Sequence, residues 1–592
     1  MARIAPTSDL KPIANWQIWG IFLLVSLISR FPYFFQGDID WDESTFILLG
    51  QSVLEGHLPY TDLLDVKPPL LWYSFATLIF LGGKTFLGVR ALGAIVVATI
   101  AAFSYHVTRT FWDDKTGWIA GFSWIILINL APGGQAVLSE HLALLFLGAC
   151  FTRLAIVPQG WRGFLGAGIL MGVAVLIRLN LAYTAVCLGL YLLLKWIISL
   201  RQEQAQPEGL ALLAYSLGGL LPLIAIVLPY VLTQTLPVFY TGFIQASLSY
   251  TKQYNLLSVL WFQFQKVIFL RLSFVGIIFS IVIFWALGSH LRWFWQHRQR
   301  LTAQKRHFYS LIAFFILSIE FSILQTGAFY SHYTIQFLFF ISILMAKPLQ
   351  QLLRIGYQLK VGECGADRRT LPVKFFAFSE KPRTNTFLKV SPLASLLNFR
   401  ATGFNTYVQL SLAIVVCSHL FQYGLITSLW LQQGTPFYGP SFDIANVIRA
   451  EHLQGQPLWL QTNHLAYWLT DSPPITPAVA HPSNITKPLL LQAWYGKNAS
   501  SLTELEKIVN RQPALIVSNE QKGGISPYFR SSPEAQALLE ATIRQDYQVL
   551  ASPYPELKFY RHRGFPLKAN KFNGLWHLKV AGLNRITGSD PP

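Results

Sequence analysis

The chain has 592 residues, a formal net charge of +18 and 53% hydrophobic side chains. Only 12% of residues are charged and the mean hydropathy is +0.40, whereas a soluble domain carries about 25% charge, which excludes a purely soluble protein. The basic residues flank apolar runs, so the positive balance reports membrane topology and gives no support to nucleic-acid binding.

Apolar stretches of roughly 17–25 residues can cross a bilayer. The sequence predicts about eleven: 16–36, 86–110, 117–132, 141–157, 164–179, 181–199, 210–233, 267–288, 308–325, 333–347 and 406–428. The first, from Trp16 to Phe35, is broken by Arg30 and lacks a small-residue cleavage site, so it reads as a span and not as a cleaved signal. Between the first two spans lies the most distinctive segment of the chain. From Asp38 to Asp65 it carries seven carboxylates (Asp38, Asp40, Asp42, Glu43, Glu55, Asp62 and Asp65) and no Lys or Arg. Lys67, Pro68 and Pro69 follow. Within this segment 43–55 and 68–83 read as helices lying at the interface.

Topology follows from the Lys and Arg distribution. Residues 290–307 hold five basic residues and no acid, and 347–405 hold ten against three acids, so both are expected to be cytoplasmic. With eleven spans this puts the N-terminus inside and the acidic loop 37–85, along with 132–141, 234–266 and 325–333, outside. The C-terminal part then lies outside as well. In that part, 441–563, the segments PLWLQT, PALIVS, YQVLAS and LKFYRH read as strands. SLTELEKIVNRQ reads as a helix with Ser501 near its start and Glu504 as capping partner. The expected organisation is a membrane domain over 1–430 with the basic insert 347–405, a small α/β extracytoplasmic domain over 441–563 and a basic tail over 564–592. The four cysteines show neither CxxC nor metal-ligand spacing, and no disulfide framework is expected in the C-terminal part.

Asp42 and Glu43 open a helix-like segment, where the helix dipole favours an ionised carboxylate, and an ionised Asp facing a dry pocket can act as a general base. A solvated acidic N-cap is the plainer alternative. Lys67 is fixed before two prolines and suits a phosphate, against the alternative of an interfacial snorkelling Lys. Arg90 sits early in the second span and Arg178 at the end of the fifth; intramembrane charges mark functional sites or buried pairs, with an acid such as Glu140 or Glu320 as partner. Glu140 and His141 stand at the end of the fourth span, and His332 and Tyr333 at the start of the tenth. Two histidines with carboxylates leave a divalent cation open, on a weak signal because they lie far apart in sequence.

The order GDIDWDESTFILLGQSVLEGHLPY, DVKPPLLWY and GVRALGAI resembles the GT-C superfamily of membrane glycosyltransferases. Within it, the protein O-mannosyltransferases and aminoarabinose transferases of family 39 are the most similar. Asp42–Glu43, Gly56 with Pro59–Tyr60, Lys67–Pro68–Pro69 and Arg90 carry the pattern, and FYSHYTIQFLFF (329–340) adds to it. The resemblance covers roughly 16–430 and is strongest over 37–92. It implies a polytopic α-helical protein of the plasma membrane that moves a hexosyl or pentosyl group from a polyprenyl-phosphate donor to a hydroxyl of a lipid, glycan or protein acceptor, with inversion. It also implies Asp42 as base, Glu43 orienting Asp42 or the acceptor, and Lys67, with Arg90 or Arg178, holding the leaving phosphate. Where the family usually has a second Asp, this chain has Glu140 followed by His141. The implied role of 441–563 is to shape acceptor access, and its sequence offers no chemistry. A transporter or flippase of a lipid-linked saccharide is the alternative reading, but the hydropathy shows no inverted repeat. A scaffold presenting the external domain is a third. No P-loop, dinucleotide fingerprint, HExxH or GxSxG motif is present.

Overall fold

The structure, a computed structural model, describes residues 14–156, 160–200, 206–250, 261, 274–326, 330–363, 417, 419–481, 483–519, 532–552 and 554–565. The helices are α1 (Asn15–Arg30), α2 (Trp41–Leu54), α3 (Pro69–Leu81), α4 (Phe86–Phe111), α5 (Asp114–Leu130), α6 (Ser139–Ile156), α7 (Trp161–Ile177), α8 (Leu181–Leu200) and α9 (Gln206–Leu232). Beyond them come α10 (Phe274–His297), α11 (Ala303–Gln325), α12 (Ile335–Glu363) and a helix over 419–433.

Among the described residues, seven helical stretches are long and apolar enough to cross a membrane, which makes this an integral membrane protein: Asn15–Phe35, Phe86–Phe111, Ser139–Ile156, Leu181–Leu200, Pro207–Leu232, Ala303–Gln325 and Ser331–Leu353. Each coincides with a predicted span. The expected spans 117–132 and 164–179 form α5 and α7, helices of 17 residues each. The expected span 267–288 lies partly, and 406–428 mostly, outside the described residues, as do most of the loop 234–266 beyond Tyr250, the insert 347–405 beyond Glu363 and the tail 564–592 beyond Phe565.

Helix α4 packs against α1, α5 and α6, and its Ala- and Gly-rich face lets them approach closely. Helices α7 and α9 also cross closely. A Cβ on Gly168 would lie 2.1 Å from the Tyr215 carbonyl oxygen, so only glycine allows these backbones to meet. The interfacial stretches 43–55 and 68–83 do form helices, α2 and α3. They pack on each other through Gly50, whose Cβ would meet the backbone of Phe75 and Ala76 at 2.7 Å. Pro69 is the first residue of α3, where its missing N–H costs nothing and its fixed φ favours the helical start.

The C-terminal part folds around a four-stranded sheet of β1 (Leu458–Leu460), β2 (Leu515–Asn519), β3 (Tyr547–Leu550) and β4 (Leu557–His562). The order is β1-β2-β4-β3; β1 and β2 run parallel and the other pairs antiparallel, with Trp459 opposite Ile516 and Val517 opposite Phe559. All four predicted strands are present. The helix Ser501–Asn510 is capped differently from expectation. Its N-cap is Ser500, whose Oγ accepts the Thr503 N–H at 3.2 Å, and Thr503 completes the capping box. Glu504 instead turns inward and accepts the Thr476 hydroxyl at 2.6 Å.

The domain is tied to the acidic loop by the backbone and by the half-buried Asp38 carboxylate. Gly37 N–H donates to the Tyr438 carbonyl at 2.9 Å and Tyr438 N–H to the Phe35 carbonyl at 3.1 Å. Asp38, in the left-handed region at φ 55°, accepts the Ser441 N–H at 2.7 Å and its hydroxyl at 2.5 Å. Burial pushes the Asp38 carboxyl above its ordinary value, and the bonds from Ser441 oppose that push.

Candidate active site

The site is built where α2, the Lys67 turn and the C-terminal domain converge. Asp40 is the N-cap of α2: its Oδ1 accepts the Asp42 N–H at 3.0 Å, satisfying one of the donors a helix start leaves open. Asp42 and Glu43 therefore lie in the first turn, and the cap role belongs to Asp40. Successive helical residues point about 100° apart, so the two neighbours face different surroundings.

Asp42 faces the domain side. Its Oδ2 lies 2.8 Å from Lys67 Nζ and its Oδ1 3.3 Å from His481 Nε2. Burial alone would raise this carboxyl, but the Lys67 ammonium and the bond from His481 outweigh it and hold Asp42 well below the usual carboxylate range. Lys67 is held in turn by its own turn. Its N–H donates to Asp65 Oδ1 at 3.0 Å, and its carbonyl accepts from Tyr60 OH at 2.7 Å. Tyr60 is buried and in the left-handed region at φ 70°, an uncommon conformation for a bulky residue, sustained by that bond and by its ring packed edge-on to Trp72. Burial disfavours the Lys67 ammonium, but Asp42 and Asp65 beside it more than compensate and raise its pKa above the ordinary value.

Glu43 faces the bundle. Its Oε2 lies 2.5 Å from Arg90 Nη2, and its Oε1 accepts the Val137 N–H at 2.7 Å. The Arg90 side chain is fully buried, its Nη1 donating to the carbonyls of Tyr33 and Gln135 and its Nη2 also to that of Gln36. Glu43 and Arg90 are thus an internal clamp that joins α2, α4 and the 133–137 loop. The Arg90 side chain is sealed from solvent, and the Glu43 carboxylate is bonded to Arg90 and Val137 and not to Asp42. The partner of Arg90 is Glu43, and neither Glu140 nor Glu320.

Glu140 and Arg178 pair at 2.9 Å, one of the alternatives the sequence left open. Arg178 Nη1 also donates to Ser139 Oγ at 2.7 Å, and its guanidinium lies 4.5 Å from the Tyr333 ring centre. Its charge is thus paired with Glu140 at the end of the bundle that also holds Tyr333. His332 sits between the two acidic groups, with Nδ1 3.6 Å from Asp40 and Nε2 3.5 Å from Glu140. His141, a site candidate from its place next to Glu140, turns away: its Nδ1 accepts the Leu138 N–H at 3.2 Å and its Nε2 meets the Gly134 carbonyl at 3.0 Å, so both ring nitrogens serve its own loop. Among the described residues, no group of three or more His, Cys, Asp or Glu is arranged to hold a metal ion. Repulsion then falls on Asp40: burial and the neighbouring Asp42 raise its carboxyl to about 6.

The structure therefore gathers Asp42, Lys67, Glu140, Arg178, His332 and Tyr333 at one end of the bundle and places Glu43, Arg90 and His141 in the framework behind. The sequence reading missed His481. A lone His before a proline, in a domain assigned no chemistry, carries no local signal, and only the fold brings it to Asp42.

No family model matches the chain, and no curated protein does either. Among solved structures, ArnT from Cupriavidus metallidurans bound to undecaprenyl phosphate is similar with a TM-score of 0.51 and 14% identity, over 93% of this chain and 98% of that one. The same protein in the apo state gives 0.52 and 13%, over 92% and 98%. The likeness shows the fold: the helices and the C-terminal sheet of this chain are arranged as in the ArnT structures.

Proposed function

We propose that this protein is an integral-membrane glycosyltransferase that moves a sugar from a polyprenyl-phosphate donor to an acceptor hydroxyl. The observation that carries the reading is the Asp42–Lys67 pair, an ionised carboxylate and an ammonium 2.8 Å apart at the domain-bearing end of a GT-C bundle. The ArnT structure with undecaprenyl phosphate bound supports a polyprenyl phosphate as the carrier.

Asp42 takes the proton of the acceptor hydroxyl as its oxygen attacks the anomeric carbon. The bond from that carbon to the phosphate oxygen breaks, its electron pair stays on the phosphate, and back-side attack inverts the centre. Lys67 stabilises the charge growing on the leaving phosphate. An ammonium has three N–H donors, so Lys67 can bridge the carboxylate and a phosphate oxygen at once. Because Asp42 titrates well below the usual range, the base is ionised at any physiological pH. The charge asymmetry of 290–307 and 347–405 supports an extracytoplasmic position for the reacting end.

The test is turnover in nanodiscs with a panel of undecaprenyl-phosphate sugars and a membrane extract as acceptor, followed by release of undecaprenyl phosphate. Donor-dependent release is expected, and Asp42→Asn should lower it about 10²–10⁴-fold. Undiminished release by a folded Asp42→Asn protein would move the base elsewhere. Absence of release across the panel would count against transfer and favour transport of the lipid-linked saccharide.

A further inference from the structure

His481 belongs to the C-terminal domain, yet both sides of it are fastened to the membrane-side loop. Before it, the Pro477 carbonyl accepts the Leu64 N–H at 2.9 Å and the Ala480 carbonyl accepts the Thr45 hydroxyl of α2 at 3.0 Å. After it, Asn484 Nδ2 donates to the Leu64 carbonyl at 3.0 Å. The ring itself is oriented. Its Nδ1 accepts the Ser483 N–H at 3.1 Å and lies 2.9 Å from the Ser483 hydroxyl, so the ring proton sits on Nε2, which lies 3.3 Å from Asp42 Oδ1. Asp42 is thereby gripped on both oxygens, by Lys67 on one and by His481 on the other.

We propose that His481 is a positioning residue for the Asp42 carboxylate, donating Nε2–H to Oδ1 and so making the docked C-terminal domain part of the reactive centre. The role rests on the glycosyltransferase reading for its effect on rate, but not for its effect on Asp42 itself. A carboxylate held by Lys67 alone can rotate about its last torsion. Held at both oxygens, it keeps one edge toward an acceptor, and small losses of alignment are costly in such reactions. Other groups facing this pair are His464 behind the His481 ring, His332 across from Asp42, and Asp40.

The variants are His481→Phe, which keeps a ring without a donor, and His481→Gln, which restores an N–H. The first readout needs no substrate. In nanodiscs, infrared difference spectra taken across a pH titration follow the protonated carboxyl band of Asp42, identified by its loss in Asp42→Asn. Losing a hydrogen bond to the charged form should raise the protonation midpoint by about one pH unit in His481→Phe and leave it near wild type in His481→Gln. A structural role for the ring would not move this midpoint. An unmoved midpoint in His481→Phe, or a raised one in His481→Gln as well, would overturn the proposal. The second readout is turnover of the undecaprenyl-phosphate sugar panel. There kcat should fall about tenfold in His481→Phe with KM for the donor little changed, and His481→Gln should recover most of it. A fall confined to KM would overturn the positioning role. If the midpoint moves while no donor turns over, the transferase reading fails and the His481–Asp42 contact stands.

Discussion

Asp42 and Glu43 are adjacent acids in one helical turn, and each has a cationic side chain against it, Lys67 or Arg90, yet the two pairs have different surroundings. The Asp42 and Lys67 side chains keep 13% and 24% of their surface in solvent, whereas those of Glu43 and Arg90 keep 3% and 0%. The first pair keeps contact with solvent, and the partners of Asp42 come from a loop and from the C-terminal part. The second is sealed among backbone carbonyls and joins α2 to α4. Adjacent charges on a helix can therefore be divided between chemistry and architecture by rotation alone, and a motif written as two acids hides that division.

The largest expected break in this comparison is Asp42→Asn, which should lower turnover about 10²–10⁴-fold while the thermal unfolding midpoint stays near wild type. The complementary break is Arg90→Ala. It strands a buried carboxylate and should cost about 3–5 kcal/mol of stability, seen as a much lower unfolding temperature in detergent. Replacing both partners, Glu43→Leu with Arg90→Met, should return most of that stability, because no buried charge is left alone. Glu43→Leu/Arg90→Met turning over sugar while Asp42→Asn does not would sharpen the division between the pairs. Next in size, Lys67→Met should lower kcat/KM about 10²–10³-fold through loss of charge stabilisation at the leaving phosphate, with a smaller change in stability than Arg90→Ala.

The smallest effect concerns Asp40, raised to about 6 by burial and by Asp42. A carboxyl raised on folding binds its proton more tightly in the folded state. Its contribution to stability is full below the unfolded value of about 3.9 and is lost as pH rises through about 6. Asp40→Asn keeps a capping side chain and removes this titration. The variant should match wild type at pH 4 and exceed it by about 1–2 kcal/mol at pH 7, checked by denaturation across that range. An advantage that shrinks with rising pH would mean that Asp40 is held ionised by His332, and the repulsion from Asp42 would then be no part of the site.

Much was legible before any coordinates, and for local reasons. The periodicity of PLWLQT, PALIVS, YQVLAS and LKFYRH is a short-range property, and each became a strand. The seven long apolar helices follow from composition over a window of about 20 residues. The helix opening near Asp42 and Glu43 and the proline-led start of α3 follow from neighbouring residues. Smaller local choices were harder: Ser500 and Ser501 compete for the same cap, and Thr503 displaced Glu504 because that Glu has a buried partner in Thr476.

By itself, then, the sequence determined that this chain enters a membrane, carries an acidic loop ending in Lys67–Pro68–Pro69, and adds a sheet-forming domain near its C-terminus. Those are properties of composition and of residues within a turn or two of one another. Only the tertiary structure decided that Arg90 belongs to Glu43, that Arg178 belongs to Glu140, that His141 faces its own loop, and that His481 reaches Asp42. Each of these is a pairing of side chains on different elements, set by the rotation of a helix and the docking of a domain, and one sequence carries no local signal for either.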